Sequence, residues 1–151
     1  MIHGIEIKEL KRNADERGYL MEMLREDDAI FDKFGQCYIA LNYPGVVRAW
    51  HYHKLQNDLW VCVKGMIKTG LYDARPNSPT NGEVNTIYLG ENNNILLKIP
   101  VGVYHGYKTI GVEPSLLINI PDKTYDRNQP DEYRVPFDGP EVPFDWEIKM
   151  G

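Results

Sequence analysis

Apolar and polar residues alternate in short stretches along most of this chain. Segments rich in Val, Ile, Tyr and Trp recur at regular intervals, and Gly, Pro, Asn and Asp separate them. A period of two puts successive side chains on opposite faces, the mark of a half-buried strand. The pattern predicts strands over Ile5–Leu10, Tyr19–Arg25, Gln36–Leu41, Val46–His53, Leu59–Val63, Ile67–Asp73, Glu83–Leu89, Asn94–Ile99, Tyr104–Thr109 and Ser115–Ile120. One short helix is expected at Asp28–Phe34, with Asp27 or Asp28 as its cap and Gly35 as its stop. Asp73–Gly82, with Pro76, Asn77, Pro79 and Asn81, reads as a loop. No repeat or interdomain linker interrupts the series, so residues 1–151 are expected to form a single all-β domain, a sandwich or a barrel closed on itself. The tail from Pro121 to Gly151 differs: it holds Pro121, Pro130, Pro136, Pro140 and Pro143 with aromatics between them. Such a segment is expected to be extended or turn-like and to pack across the barrel or onto a second subunit.

Composition narrows the function classes. A chain of 151 residues can bury a real core. A formal charge of −5 and an isoelectric point near 5.3 argue against a nucleic-acid surface. No apolar run approaches the roughly 20 residues that span a bilayer, and no basic amphipathic stretch suggests membrane binding. The N-terminus has no signal-peptide core. Cys37 and Cys62 both stand in apolar, strand-like settings and read as free buried thiols. The expectation is an acidic cytoplasmic protein.

Candidate chemistry gathers in two segments. The first is Gly45-x5-His51-Tyr52-His53-x4-Asp58-x6-Gly65, and the second is Pro100-x-Gly102-x2-His105. His51 and His53 are two apart, so on a strand both face one interior, with Trp50 and Tyr52 on the other side. If a later strand brings His105 opposite them, one cavity holds three imidazoles and the Asp58 carboxylate. That set can hold Fe, Mn, Ni or Zn, or it can move protons. A structural role for all four would be costly, because polar groups in one pocket must be paired or used.

The flanking residues carry a resemblance. Asp15-Glu16-Arg17-Gly18-Tyr19-Leu20-Met21-Glu22, Gly45-Val46-Val47-Arg48-Ala49-Trp50-His51-Tyr52 with Gln36 twelve residues before the arginine, and Asp73-Ala74-Arg75-x2-Ser78-Pro79-Thr80-x-Gly82 through Pro100-x-Gly102-x2-His105-Gly106 occur in this order. Together with Phe144-Asp145-Trp146, they resemble the dTDP-4-dehydrorhamnose 3,5-epimerase family over most of the chain. Arg48-Ala-Trp-His51-Tyr-His53-Lys54 and Val61-Cys62-Val63-Lys64-Gly65 are also similar to segments of the dTDP-4-oxo-6-deoxyhexose 3,4-ketoisomerases.

The resemblance implies a cupin jelly-roll (a double-stranded β-helix), a homodimer, no cofactor and a dTDP-linked 4-oxo-6-deoxy sugar as substrate. It implies His51 as the catalytic base, with His53 and His105 assisting, and Arg17, Gln36, Arg48 and Arg75 as substrate-binding residues. Several family positions differ: His53 replaces a glutamine, Asp58 a lysine and Thr69 an aspartate, and no tyrosine stands near Ile118–Asn119. The family's supporting aspartate lies beyond the end of the chain. Tyr104, Tyr107 and Tyr125 are candidate acids. Two alternatives stay open: a metal-dependent cupin oxygenase or isomerase using His51, His53, Asp58 and His105, and a sugar-nucleotide-binding homologue without activity.

Overall fold

Alternation sorts the side chains of nearly every strand into an inner and an outer set, and two facing sheets result. The computed structural model describes residues 1–149. In chain order its strands are β1 (Glu6–Glu9), β2 (Arg12–Asp15), β3 (Gly18–Met21), β4 (Tyr38–Asn42), β5 (Val47–Tyr52), β6 (Asp58–Lys64), β7 (Met66–Asp73), β8 (Val84–Gly90), β9 (Ile95–Ile99), β10 (Val103–Ile110), β11 (Ser115–Asn119) and β12 (Tyr133–Arg134). One antiparallel sheet has the order β1-β9-β6-β11-β4, the other β12-β5-β10-β7-β8, and β2-β3 is a separate hairpin. This is the jelly-roll that the resemblance implied, and it is one form of the sandwich or barrel that the alternation predicted.

Three apolar layers hold it together. Between the sheets, Trp60, Ile67, Leu71, Leu89, Leu97, Ile99, Val103 and Leu117 form the main core. Outside the first sheet, Leu59, Val61 and Leu96 are covered by Leu10, Ile30 and Ile120. Outside the second, Trp50 packs against Val142 and Trp146 of the tail. Gly70 of β7 makes room for those rings, since a Cβ there would come within 2.5 Å of the Trp50 indole. Lys68 donates to the carbonyls of Asp145 (2.6 Å) and Glu147 (2.8 Å), and β12 adds to β5. The tail therefore packs on its own barrel.

Three local expectations are corrected. Asp28–Phe34 holds one turn, at residues 29–30, and is otherwise irregular, and no helix occurs among the described residues. The Asp28 carboxylate reaches back to the Arg25 N–H (2.8 Å) and to Lys8 (2.5 Å) instead of capping forward, and Ile30 is drawn into the outer core. A seven-residue segment has too few backbone bonds to outweigh such tertiary contacts. The strand expected at Tyr19–Arg25 is shorter, ending at Met21, and pairs with β2. Cys62 is buried, but Cys37 is exposed at the margin of the edge strand β4.

Candidate active site

The antiparallel ladder between β5 and β10 makes His51 and His105 direct cross-strand partners. Their ring centroids lie 4.2 Å apart at 71°. Just beyond His105 the register slips, a bulge that re-aims neighbouring side chains. Asp58 opens β6 in the facing sheet and is 1 % exposed. Its Oδ1 accepts from Gln56 Nε2 (2.8 Å), and its Oδ2 lies 3.5 Å from His53 Nε2 and 3.4 Å from His105 Nε2.

The other ring nitrogens are held by the backbone. His105 Nδ1 donates to the Val103 carbonyl (2.9 Å), and His53 Nδ1 donates to the Asp131 carbonyl. The Asp131 carboxylate in turn accepts from the N–H groups of Lys54 (2.9 Å), Leu55 (2.8 Å) and Gln56 (3.2 Å), fixing the loop between His53 and Asp58. Both Nε2 atoms therefore face one carboxylate oxygen. Lone pair against lone pair is repulsive, so a cation belongs between them, either a ring proton or a metal ion.

Charge divides the cluster into two parts. Burial works against ionising Asp58, but contacts with His105 and then His53 hold its carboxyl well below the usual carboxylate range. For His53, burial disfavours the proton, yet the Asp58 contact and charge and the Asp131 carbonyl outweigh it and raise the pKa. His51 is different. Burial, followed by the neighbouring His105, pushes it well below the ordinary histidine value, and the Asp58 charge offsets this only in part. The result is a neutral imidazole beside an ionised carboxylate, and a neutral imidazole can accept a proton.

His51 opens onto a cavity of about 410 Å³ that is also lined by Tyr38, Arg48, Trp60, Tyr107 and Arg134. A second space of about 290 Å³ shares Tyr38, His51 and Glu132 with it and adds Gln36, His53, Gln56 and Tyr125. The structure thus brings His51, His53, Asp58 and His105 together, with donor atoms within 4.8 Å of one another. Arg48 lies in the cavity wall, its Nε donating to Asn42 Oδ1 (2.5 Å). Gln36 is at the mouth, its Oε1 accepting from the Tyr125 N–H (3.0 Å).

Two expected substrate ligands are elsewhere. Arg75 is committed to a loop clamp: it bonds both Asp73 oxygens (2.7 and 2.8 Å) and the His3 carbonyl (2.7 Å), and it does not line the cavity. Local pairing with a fully buried carboxylate two residues away outcompetes any reach toward the site. Arg17 is on the exposed β2-β3 hairpin, its side chain 84 % exposed and paired with Asp15. Of the candidate acids, Tyr107 and Tyr125 border the cavity. Tyr104 faces outward and stacks on Tyr52 with centroids 4.3 Å apart.

Sequence reasoning missed Tyr38, Glu132 and Arg134. Tyr38 was within reach, because Gln36, Tyr38 and Ala40 share a face of an expected strand. Its hydroxyl accepts from the Asn119 side chain (2.9 Å), the region where the resemblance expects a tyrosine and none stands. Glu132 and Arg134 carried no such signal, since only the folding of the tail onto β5 brings them to the cavity.

Comparison with known proteins shows the family. Residues 1–151 match the family model described as dTDP-4-dehydrorhamnose 3,5-epimerase. The chain belongs to that family. It is 46% identical over 154 residues to a probable low-salt glycan biosynthesis epimerase, Agl13, of Haloferax volcanii, covering 99% of this chain and 97% of that one. It is 42% identical over 150 residues to the spore coat polysaccharide biosynthesis protein SpsL of Bacillus subtilis, covering 99% of each. Among solved structures, a dTDP sugar isomerase from Desulfovibrio desulfuricans G20 superposes with a TM-score of 0.91 at 35% identity, covering 96% of this chain and 92% of that one. Family membership makes the protein a sugar epimerase, an isomerase in the broad sense.

Proposed function

We propose that the protein inverts or isomerises a dTDP-linked 4-oxo-6-deoxyhexose for a surface or deoxysugar glycan, by proton removal next to the ketone, with His51 as base. The observation that carries this reading is the neutral, half-buried His51 projecting into the cavity beside the ionised Asp58. A C–H beside a ketone is lost only if a placed base takes the proton and the enolate oxygen is stabilised. His53, at the mouth of the cavity with its pKa raised by Asp58, and His105, packed against the His51 ring, assist by fixing the base and its electrostatic surroundings. Arg48 supplies a forked cation for the diphosphate, and Arg134, also on the cavity wall, is better placed for this than Arg75. In this reading no cofactor takes part.

Arg17 can act only on a substrate in a neighbouring copy, because its hairpin is exposed and its own cavity is lined by others. A homodimer with the exposed Tyr19 and Leu20 at its interface fits that role. A cytoplasmic setting fits a nucleotide-sugar substrate.

The deciding experiment incubates the protein with dTDP-4-oxo-6-deoxyglucose in D2O and follows the sugar by NMR. Deuterium at C3, C5 or both, with a new sugar product, is expected. No deuterium entry and no new product would sink the reading.

A second reading has its own observation. Donor separations of 3.4 and 3.5 Å around Asp58 Oδ2 are close to the edge of a tetrahedral site whose ligands are about 2.0–2.1 Å from the ion. Asp58 Oδ2 and His105 Nε2 are also buried without a hydrogen-bond partner. His53, Asp58 and His105, with His51 as a fourth ligand, could then hold Zn, Fe, Mn or Ni and polarise the sugar ketone. Metal analysis of protein purified without a metal-affinity tag separates the two. Near-stoichiometric metal whose chelation abolishes turnover would favour this reading, and a metal-free active protein would end it.

A further inference from the structure

Inversion at a carbon needs two groups, one to take a proton from one face and one to return a proton to the other. His51 accounts for the first under the function proposed above, on which this inference rests. We infer that Tyr38 is the second group, the acid that protonates the enolate from the side opposite His51.

The topology supplies the opposition. Tyr38 is on β4, at the edge of the first sheet, and His51 is on β5 of the second sheet. Both side chains line the main cavity and both line its mouth. A flat enolate lying between the sheets therefore has the imidazole on one face and the phenol on the other. The other two tyrosines bordering these spaces do not meet that condition. Tyr107 is on β10, in the same sheet as His51, and its hydroxyl is buried without a partner. Tyr125 lines the mouth alone.

Local bonding suits the role. Tyr38 and Asn119 are cross-strand partners in the β4-β11 ladder, and Asn119 Nδ2 donates to the Tyr38 hydroxyl oxygen. The bond occupies an acceptor site, so the hydroxyl proton remains free to point into the cavity. Once that proton is gone, the same amide stabilises the phenolate. Burial, and then the charge of Asp58, push the hydroxyl up to about 12, with the Asn119 bond working the other way. Tyr38 is therefore protonated at any working pH.

The step balances. His51 takes the proton of the C–H bond, whose electron pair forms the enolate double bond. The pair then returns to carbon to bond the Tyr38 proton on the opposite face, and the ketone re-forms. Imidazolium and phenolate are left, and proton transfer through solvent restores both.

Tyr38→Phe keeps the ring and removes the acid. In D2O with dTDP-4-oxo-6-deoxyglucose, this variant is expected to go on exchanging a ring C–H for deuterium with retention, within about tenfold of the wild-type rate, while inversion falls ~10²–10⁴-fold. Continued exchange also reports that the variant is folded and binds the sugar. Inversion at the wild-type rate would overturn the Tyr38 assignment alone. So would equal loss of exchange and inversion with dTDP binding intact, the result expected of a purely structural tyrosine. A wild-type protein that neither exchanges nor inverts would overturn the epimerase reading, and the role of Tyr38 with it.

Discussion

Strand β5 sends its side chains into two environments that differ in almost every respect. On the inner face His51 meets His105, Trp60 and an ionised Asp58 across a polar cavity. On the outer face, one residue away, Trp50 is 1 % exposed against Phe144 and Trp146, with centroids 5.3 and 4.9 Å away. The outer face is close-packed, and Lys68 and Lys108 there have tail carbonyls as partners. The inner face keeps buried polar atoms without partners, including Asp58 Oδ2 and His105 Nε2. Unpaired buried groups cost stability. The outer face leaves only the indole N–H groups of Trp50 and Trp146 unpaired among the described residues, whereas the inner face leaves an ionised carboxylate oxygen and an imidazole nitrogen, so the inner face is the one shaped for a ligand.

That division can be broken from either side. His51→Asn should lower turnover ~10²–10⁴-fold with dTDP binding and the thermal melt nearly unchanged. If the variant kept its activity, His51 would not be the base. Trp146→Ala should do the reverse, destabilising the protein by about 3–5 kcal/mol while kcat in the folded fraction changes less than tenfold. Denaturant melts with a parallel activity assay measure both. A melt unchanged by that substitution would mean that the tail does not hold the sheet.

The smallest effect is on pH dependence. Burial lowers the His51 pKa, so the base stays unprotonated as pH falls past the ordinary histidine value. The acid limb of kcat/KM should therefore have its midpoint below about 6.5. The same shift has a stability sign. The folded state resists protonating His51, so stability declines as pH falls from about 6.5 toward the folded pKa. His53 works oppositely: its raised pKa contributes stability below about 6.5 that is lost as pH rises through the folded value. An acid limb centred above 7 would show that His51 is not the titrating base.

Legibility in the sequence followed the range of the contacts. His51 and His53 could be paired from spacing alone, because a strand repeats every two residues. His105 could be matched to them only through motif resemblance, and the ladder then made it the direct partner of His51. Tyr38 was readable in principle from its alternation with Gln36. The helix expected at Asp28–Phe34 failed because capping residues describe an isolated segment, whereas Asp28 is tied to Lys8, twenty residues away. Arg75 shows the same limit: its motif suggested a substrate ligand, and the structure pairs it with the buried Asp73.

By itself, then, the sequence determined the alternating strands, the all-β class and the pairing of His51 with His53 through local periodicity and spacing, and it joined Asp58 and His105 to them only through motif resemblance. Only the tertiary structure decided the roles within that set. Burial left His51 neutral, contacts with His105 and His53 kept Asp58 ionised, the tail brought Asp131, Glu132 and Arg134 to the site across more than seventy residues, and the facing sheets put Tyr38 opposite His51. Charge state and facing geometry depend on what surrounds a group in space, and chain spacing carries no record of that.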